Sequence, residues 1–239
     1  MFVPLYDYNK LKSIPFQYVT VLLIALNIAV FLIQTSGMSL PAVASFGLIP
    51  KELIEVRYFG GPAFGENDLI AVPEGYTLLT YTFFHGDIFH LFSNMIFLWV
   101  FGDNVEDAVG HLKFLIFYVL CGVLAGMLHV HMSPESGRPL IGASGAVAGV
   151  IAAYLLLHPR VRIWVLVFRL IPLRISAMWA LGAWIALQFV MVYLSQMGIQ
   201  QGPVAWWAHI GGLAAGAVLI LFMRRPGVVL FDRDIRSES

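Results

Sequence analysis

The stretch 142-GASGAVAGVIAAYLLLH-158 decides how this chain is read. After Gly142, Ala143 and Ser144 it stays apolar as far as Leu157, and a helix over 143–158 suits the interior of a bilayer. A serine inside lipid is commonly a packing residue, because its hydroxyl can bond back to a carbonyl of its own helix. Ser144 is bracketed by glycines, however, and His209 lies just inside the start of a second apolar run, 204–223. A hydroxyl and an imidazole at matching depth, on two helices running the same way, make a candidate nucleophile and base.

Working outward, the composition fits a membrane protein. Of the 239 residues 59% are hydrophobic and 12% charged, and the mean hydropathy of +0.82 lies outside the soluble range. Six candidate spans follow, roughly 18–35, 86–102, 112–131, 143–158, 175–196 and 204–223. They predict an all-α, polytopic six-transmembrane-helix bundle, with residues 1–239 forming one transmembrane domain. The formal net charge of zero gives no footing for a nucleic-acid partner. Cys121 stands alone in the third span, so an intrachain disulfide is excluded and an apolar filler is expected. The first span, behind Lys10 and Lys12, reads as an uncleaved signal-anchor.

Lys and Arg placement sets the orientation. The two ends and the segments after spans two and four hold eleven of the fourteen, among them Lys113, Arg160, Arg162, Arg174, Arg224 and Arg225. The other side holds Lys51, Arg57 and Arg138. The positive-inside rule then places both termini in the cytoplasm, and spans two, four and six run from outside to inside. Residues 36–85, which mix Glu52, Glu55, Glu66, Asp68 and Glu74 with apolar side chains, are expected to form short interfacial helices on the outer leaflet. Residues 159–174 are expected to lie against the inner leaflet, and the tail from Arg224 to be a short solvated end.

The three same-direction spans also carry the unusual polar residues. His90 and Asn94 are four apart, on one face of span two, behind Asp87 as the expected helix cap. Gly145 and Gly149 on span four, and Gly212 and Gly216 on span six, make small-xxx-small faces that let two helices approach closely. Close approach is what His209 needs to reach Ser144. Free N–H groups and the positive dipole end at the start of span four would stabilise an oxyanion beside Ser144. His90 and Asn94 can donate hydrogen bonds to that oxyanion, and His209 can serve as general base. Neither span six nor its neighbours offers an acidic residue to orient His209, so the expected device is a dyad.

Alternatives from other classes lack their parts. A transporter or a helix-binding chaperone would use the same polar residues to line a path or dock clients, but no internal repeat is visible. His-Glu-x-x-His, the mark of a zinc protease, is missing, and no metal or other cofactor is implied. No second intramembrane aspartate exists to pair with Asp103. Ser144 is followed at once by Gly145, so it does not sit in Gly-x-Ser-x-Gly. His129 and His131 read as interfacial, His85 as bland, and Asp103 with Glu106 as a capping box for a short cytoplasmic turn.

At His85-Gly86, His90-Leu91-Phe92-Ser93-Asn94, Glu106 with Gly110, Gly142-Ala143-Ser144-Gly145 and Ala208-His209-Ile210-Gly211-Gly212 with Gly216, the chain resembles a rhomboid intramembrane serine protease. The resemblance runs from the loop before span two to span six. It implies Ser144 as nucleophile, His209 as base, and His90 and Asn94 as oxyanion donors. Also implied are transmembrane protein substrates cut near the outer face of the membrane, entering laterally near spans two and five. The absence of a recognisable transit peptide favours a bacterial plasma membrane. Two departures stand out: Tyr76-Thr77 where many members have Trp-Arg, and Ala148 where some have a tyrosine that packs on the catalytic histidine. The second leaves His209 to be held by something else, with Trp206 or Trp207 as candidates.

Overall fold

Six apolar helices, three short helices and a small sheet make up the computed structural model, which describes residues 2–37, 39–62, 65, 68, 70, 72–167, 170–199 and 204–231. The chain begins with strand β1 (Phe2–Asp7) and enters α1 (Tyr18–Thr35). Helices α2 (Ser39–Phe46), α3 (Pro50–Phe59) and α4 (Glu74–Thr80) fill the long connection, and a 3-10 turn over Tyr81–Phe83 leads into α5 (Ile88–Val109). Then come α6 (His111–Met132), α7 (Ser144–Leu157), strands β2 (Arg162–Val167) and β3 (Ile171–Ser176), α8 (Ala177–Gln196) and α9 (Trp206–Met223).

Among the described residues, α1, α5, α6, α8 and α9 are long and apolar enough to cross a membrane, and α7 is a shorter apolar helix. The protein is a multi-pass membrane protein with a helical bundle. With 14 residues, α7 extends for only about 21 Å against a hydrocarbon thickness of about 30 Å. It is also the most enclosed helix, buried from Gly145 to Tyr154 against α5, α6 and α9.

Glycine governs the seam between α7 and α9. A methyl group at Gly212 would overlap the carbonyl oxygen of Gly145, and one at Gly216 would overlap that of Gly149. One at Gly149 would strike Cys121 on α6. The backbones touch there, so no larger side chain fits without separating the helices.

The end of the bundle that carries the sheet departs from the sequence expectations in three ways. Helix α5 does not stop near residue 102 but continues to Val109, because its polar last turns have partners elsewhere. Glu106, which is fully buried, accepts from the N–H groups of Val19 (3.0 Å) and Thr20 (2.8 Å) and from the Thr20 hydroxyl (2.7 Å). It therefore caps the N-terminus of α1, where unpaired N–H groups and the helix dipole favour a carboxylate. That replaces the capping box expected with Asp103. Asp107 similarly accepts from the N–H groups of Lys12, Ser13 and Ile14, at 2.7–3.0 Å.

Second, β2 and β3 pair antiparallel, and β1 joins them as a third antiparallel strand, giving the order β1-β2-β3. The Tyr154 hydroxyl of α7 donates to Asp7 Oδ2 at 2.6 Å, which ties the sheet to the bundle. Burial raises the Asp7 carboxyl to about 6, the Tyr154 bond offsetting part of the rise. Third, the start of the tail is not a free solvated end. Arg225 N–H donates to the Ala108 carbonyl and Phe231 N–H to that of Leu156, so residues 224–231 fold across the C-terminal ends of α5 and α7. The rest of the tail, 232–239, lies outside the described residues.

Candidate active site

Helix α5 starts where the sequence places its cap: Asp87 accepts from the N–H groups of Phe89 (2.8 Å) and His90 (2.9 Å). His90 is thereby held in the first turn. Its ring lies against Gly142, where a Cβ would come within 2.7 Å of His90 Cε1 and 2.8 Å of Nε2. Gly142 also has φ +121, a region that disfavours any side chain. Only glycine meets both demands, and the chain can then run past the imidazole into Ser144.

Three further contacts fix that approach. Gly142 N–H donates to the carbonyl of Tyr81 at 3.0 Å, and Leu140 pairs with Leu48 through two backbone bonds. Ala143 N–H reaches His85 Nε2 at 3.4 Å. His85 is fully buried, and burial pulls its ring down to about 4, with the neighbouring His90 adding to the effect. It is therefore neutral near pH 7 and able to accept that N–H. Its ring stands edge-on to His90 at 5.1 Å. His85, given no role from the sequence, thus supports both His90 and the segment leading to Ser144.

Ser144 is the first residue of α7 and His209 the fourth of α9. Ser144 Oγ and His209 Nε2 lie 2.9 Å apart, across 65 positions of sequence. The leading N–H groups of α7 have no intrahelical acceptor, so they stand free to serve an anion beside Oγ. Asn94 is buried one turn below His90, and its Nδ2 donates to the His90 carbonyl at 3.1 Å. An amide nitrogen carries two hydrogens, so a second donor remains. Gly145 and Gly149 face Gly212 and Gly216, which is what lets α9 come close enough for the imidazole to reach the hydroxyl.

The other side of the His209 ring is held by residues that sequence reasoning passed over. His209 Nδ1 is 2.8 Å from Gln188 Oε1, a side chain of α8. Trp184, one turn earlier on α8, has its ring 6.0 Å from that of His209, and Trp206 stands edge-on at 5.8 Å. Ala148 is buried against the α7–α9 seam, and Trp184 packs against the cluster it forms with Ala152 and Leu213. The available signal was the i, i+4 spacing of Trp184 and Gln188 in an otherwise apolar span, since a buried amide needs a partner. His129 is partly buried and His131 exposed, both in the last turn of α6.

Comparison with known proteins points the same way. The Rhomboid domain family model matches residues 72–226, which take in His85, His90, Asn94, Ser144, Gln188 and His209. RHOMBOID-like protein 12, mitochondrial, of Arabidopsis thaliana is 30% identical over 162 residues, covering 60% of this chain and 45% of the relative. Rhomboid protein 1, mitochondrial, of Saccharomyces cerevisiae is 30% identical over 142 residues, covering 57% and 38%. Rhomboid protease GluP of Bacillus subtilis is 40% identical over 95 residues, covering 39% and 18%. The chain spans less than half the length of each of these three relatives.

Proposed function

The chain belongs to the rhomboid family, and from that premise we propose that it is an intramembrane serine endopeptidase with Ser144 as nucleophile and His209 as general base. The observation that carries the reading is the 2.9 Å contact between Ser144 Oγ and His209 Nε2, inside a helical membrane bundle. In the forward step His209 Nε2 takes the hydroxyl proton as Oγ attacks a peptide carbonyl. The resulting oxyanion is met by the Ser144 N–H, the His90 ring and the second hydrogen of the Asn94 amide. His209 returns its proton to the leaving amine, and water then releases the acyl group by the reverse roles.

The substrates are transmembrane proteins, cut near the outer face of the membrane. Because helical hydrogen bonds shield a carbonyl, a substrate helix must unwind locally, which favours small or helix-breaking residues at the cut. Entry is lateral, near α5 and α8. The Lys and Arg distribution supports both termini on the cytoplasmic side. The end that gathers β1, the β2–β3 pair and the tail is then the inner one.

Labelling with a serine-directed fluorophosphonate tests this directly. Ser144 should label, and the label should vanish in Ser144→Ala and His209→Ala. Cleavage of a transmembrane substrate should fall by about 10⁴–10⁶-fold in both, with the protein still inserted. Normal turnover by Ser144→Ala would end the proposal.

A further inference from the structure

We propose that Gln188 is a positioning residue that holds His209 in the one tautomer able to act as base, an inference that rests on the catalytic reading above. A neutral imidazole carries its proton on one nitrogen and accepts on the other. To take the Ser144 proton, Nε2 must be bare and Nδ1 must carry the hydrogen. Whatever faces Nδ1 therefore decides whether the base is usable.

Gln188 faces it, and its own orientation is determined. The side chain is buried, and its Nε2 donates to the Trp184 carbonyl at 2.8 Å. Turning the amide over would set its oxygen against that carbonyl oxygen and break the bond. The oxygen is thus obliged to point at His209 Nδ1, 2.8 Å away. An acceptor-only atom there requires Nδ1–H. The series Trp184 carbonyl, Gln188 amide, His209 ring and Ser144 hydroxyl consequently has each hydrogen assigned, from α8 to α7. The neutral amide does the orienting work that a carboxylate does in a triad, without placing a charge beside the ring. Trp184 and Trp206 bracket the ring and limit its rotation.

Gln188→Met, which keeps the length and removes the acceptor, should lower kcat by about 10–100-fold, the usual scale for loss of an orienting partner, with KM little changed. Gln188→Glu should recover most of the rate, because a protonated carboxyl reproduces both bonds: O–H to the Trp184 carbonyl and C=O to Nδ1. In the unaltered full chain labelled with ¹⁵N-histidine, the His209 signal, identified by its loss in His209→Ala, should report hydrogen on Nδ1 and a bare Nε2. Unchanged kcat in Gln188→Met, in a preparation where Ser144→Ala is inactive, overturns the inference and leaves the protease reading intact. Hydrogen on Nε2 in the unaltered chain overturns it too, whether or not the Met variant folds. Turnover that survives Ser144→Ala removes the protease reading itself.

Discussion

At the inner end of α7 the groups that hold the bundle are carboxylates: Asp7 on Tyr154, Glu106 on the first turn of α1, and Asp107 on the backbone of residues 12–14. At its outer end the contacts are made by touching glycine backbones, an amide and two indole rings. The inner groups tie distant chain segments together, and a charged acceptor suits that task because backbone N–H donors satisfy it. The outer groups set the direction of a proton, and neutral partners do so without fixing a charge beside the imidazole. One end anchors, and the other orients.

The hardest blow to this contrast should come from the seam. In Gly212→Leu the side chain would meet the Gly145 carbonyl, so α7 and α9 must part. Both the fluorophosphonate label on Ser144 and substrate cleavage should be lost, with stability lowered by about 3 kcal/mol or more. A thermal melt and a gel-based labelling assay measure the two together. A stable, fully labelled variant would mean that the close approach is not what builds the outer end.

A smaller effect is expected from His90→Ala and Asn94→Ala, which leave the seam alone. Each should cost about 10²–10³ in kcat, the scale of one oxyanion donor. Single-turnover kinetics on a transmembrane substrate would read it. Equal losses in KM and kcat would instead make these residues part of substrate binding.

The mildest change should come from the inner end. Asp7 sits at about 6 in the folded chain against an ordinary 3.8. The native state thus binds this proton more tightly than the unfolded one, and the stabilisation is complete below about pH 4. It is lost as pH rises through 6, to the extent of roughly 3 kcal/mol. Asp7→Asn should flatten the dependence of Tm on pH across that window while leaving kcat unchanged. A shift in kcat would show that the anchor and the site are coupled.

How much of this was visible in the sequence depends on the range of the forces involved. The six apolar helices were legible because lipid demands long uninterrupted hydrophobic runs. The expected end of α5 fell seven residues short, at 102 against Val109. Asn104, Glu106 and Asp107 look like the end of a span until their partners at residues 9, 12–14 and 19–20 are known. The sheet was invisible for the same reason, since β1 pairs with residues about 160 positions later. At the site, Ser144, His209, His90 and Asn94 could be brought together by depth and helix face alone. Gln188 was harder: its i, i+4 spacing from Trp184 marks a buried amide in need of a partner, but only the fold reveals that the partner is an imidazole. Trp206 was a candidate support for the ring and stands against it, whereas Trp184 was not foreseen.

Helix α7 has one more consequence. With 14 residues it is the shortest of the six apolar helices, and Ser144 is its first residue. The Ser144 hydroxyl thus stands near the first turn of α5, where His90 lies against Gly142. A residue inserted or removed between Ser144 and Leu157 would shift that hydroxyl by about 1.5 Å along the helix and swing it by about 100°, away from His209.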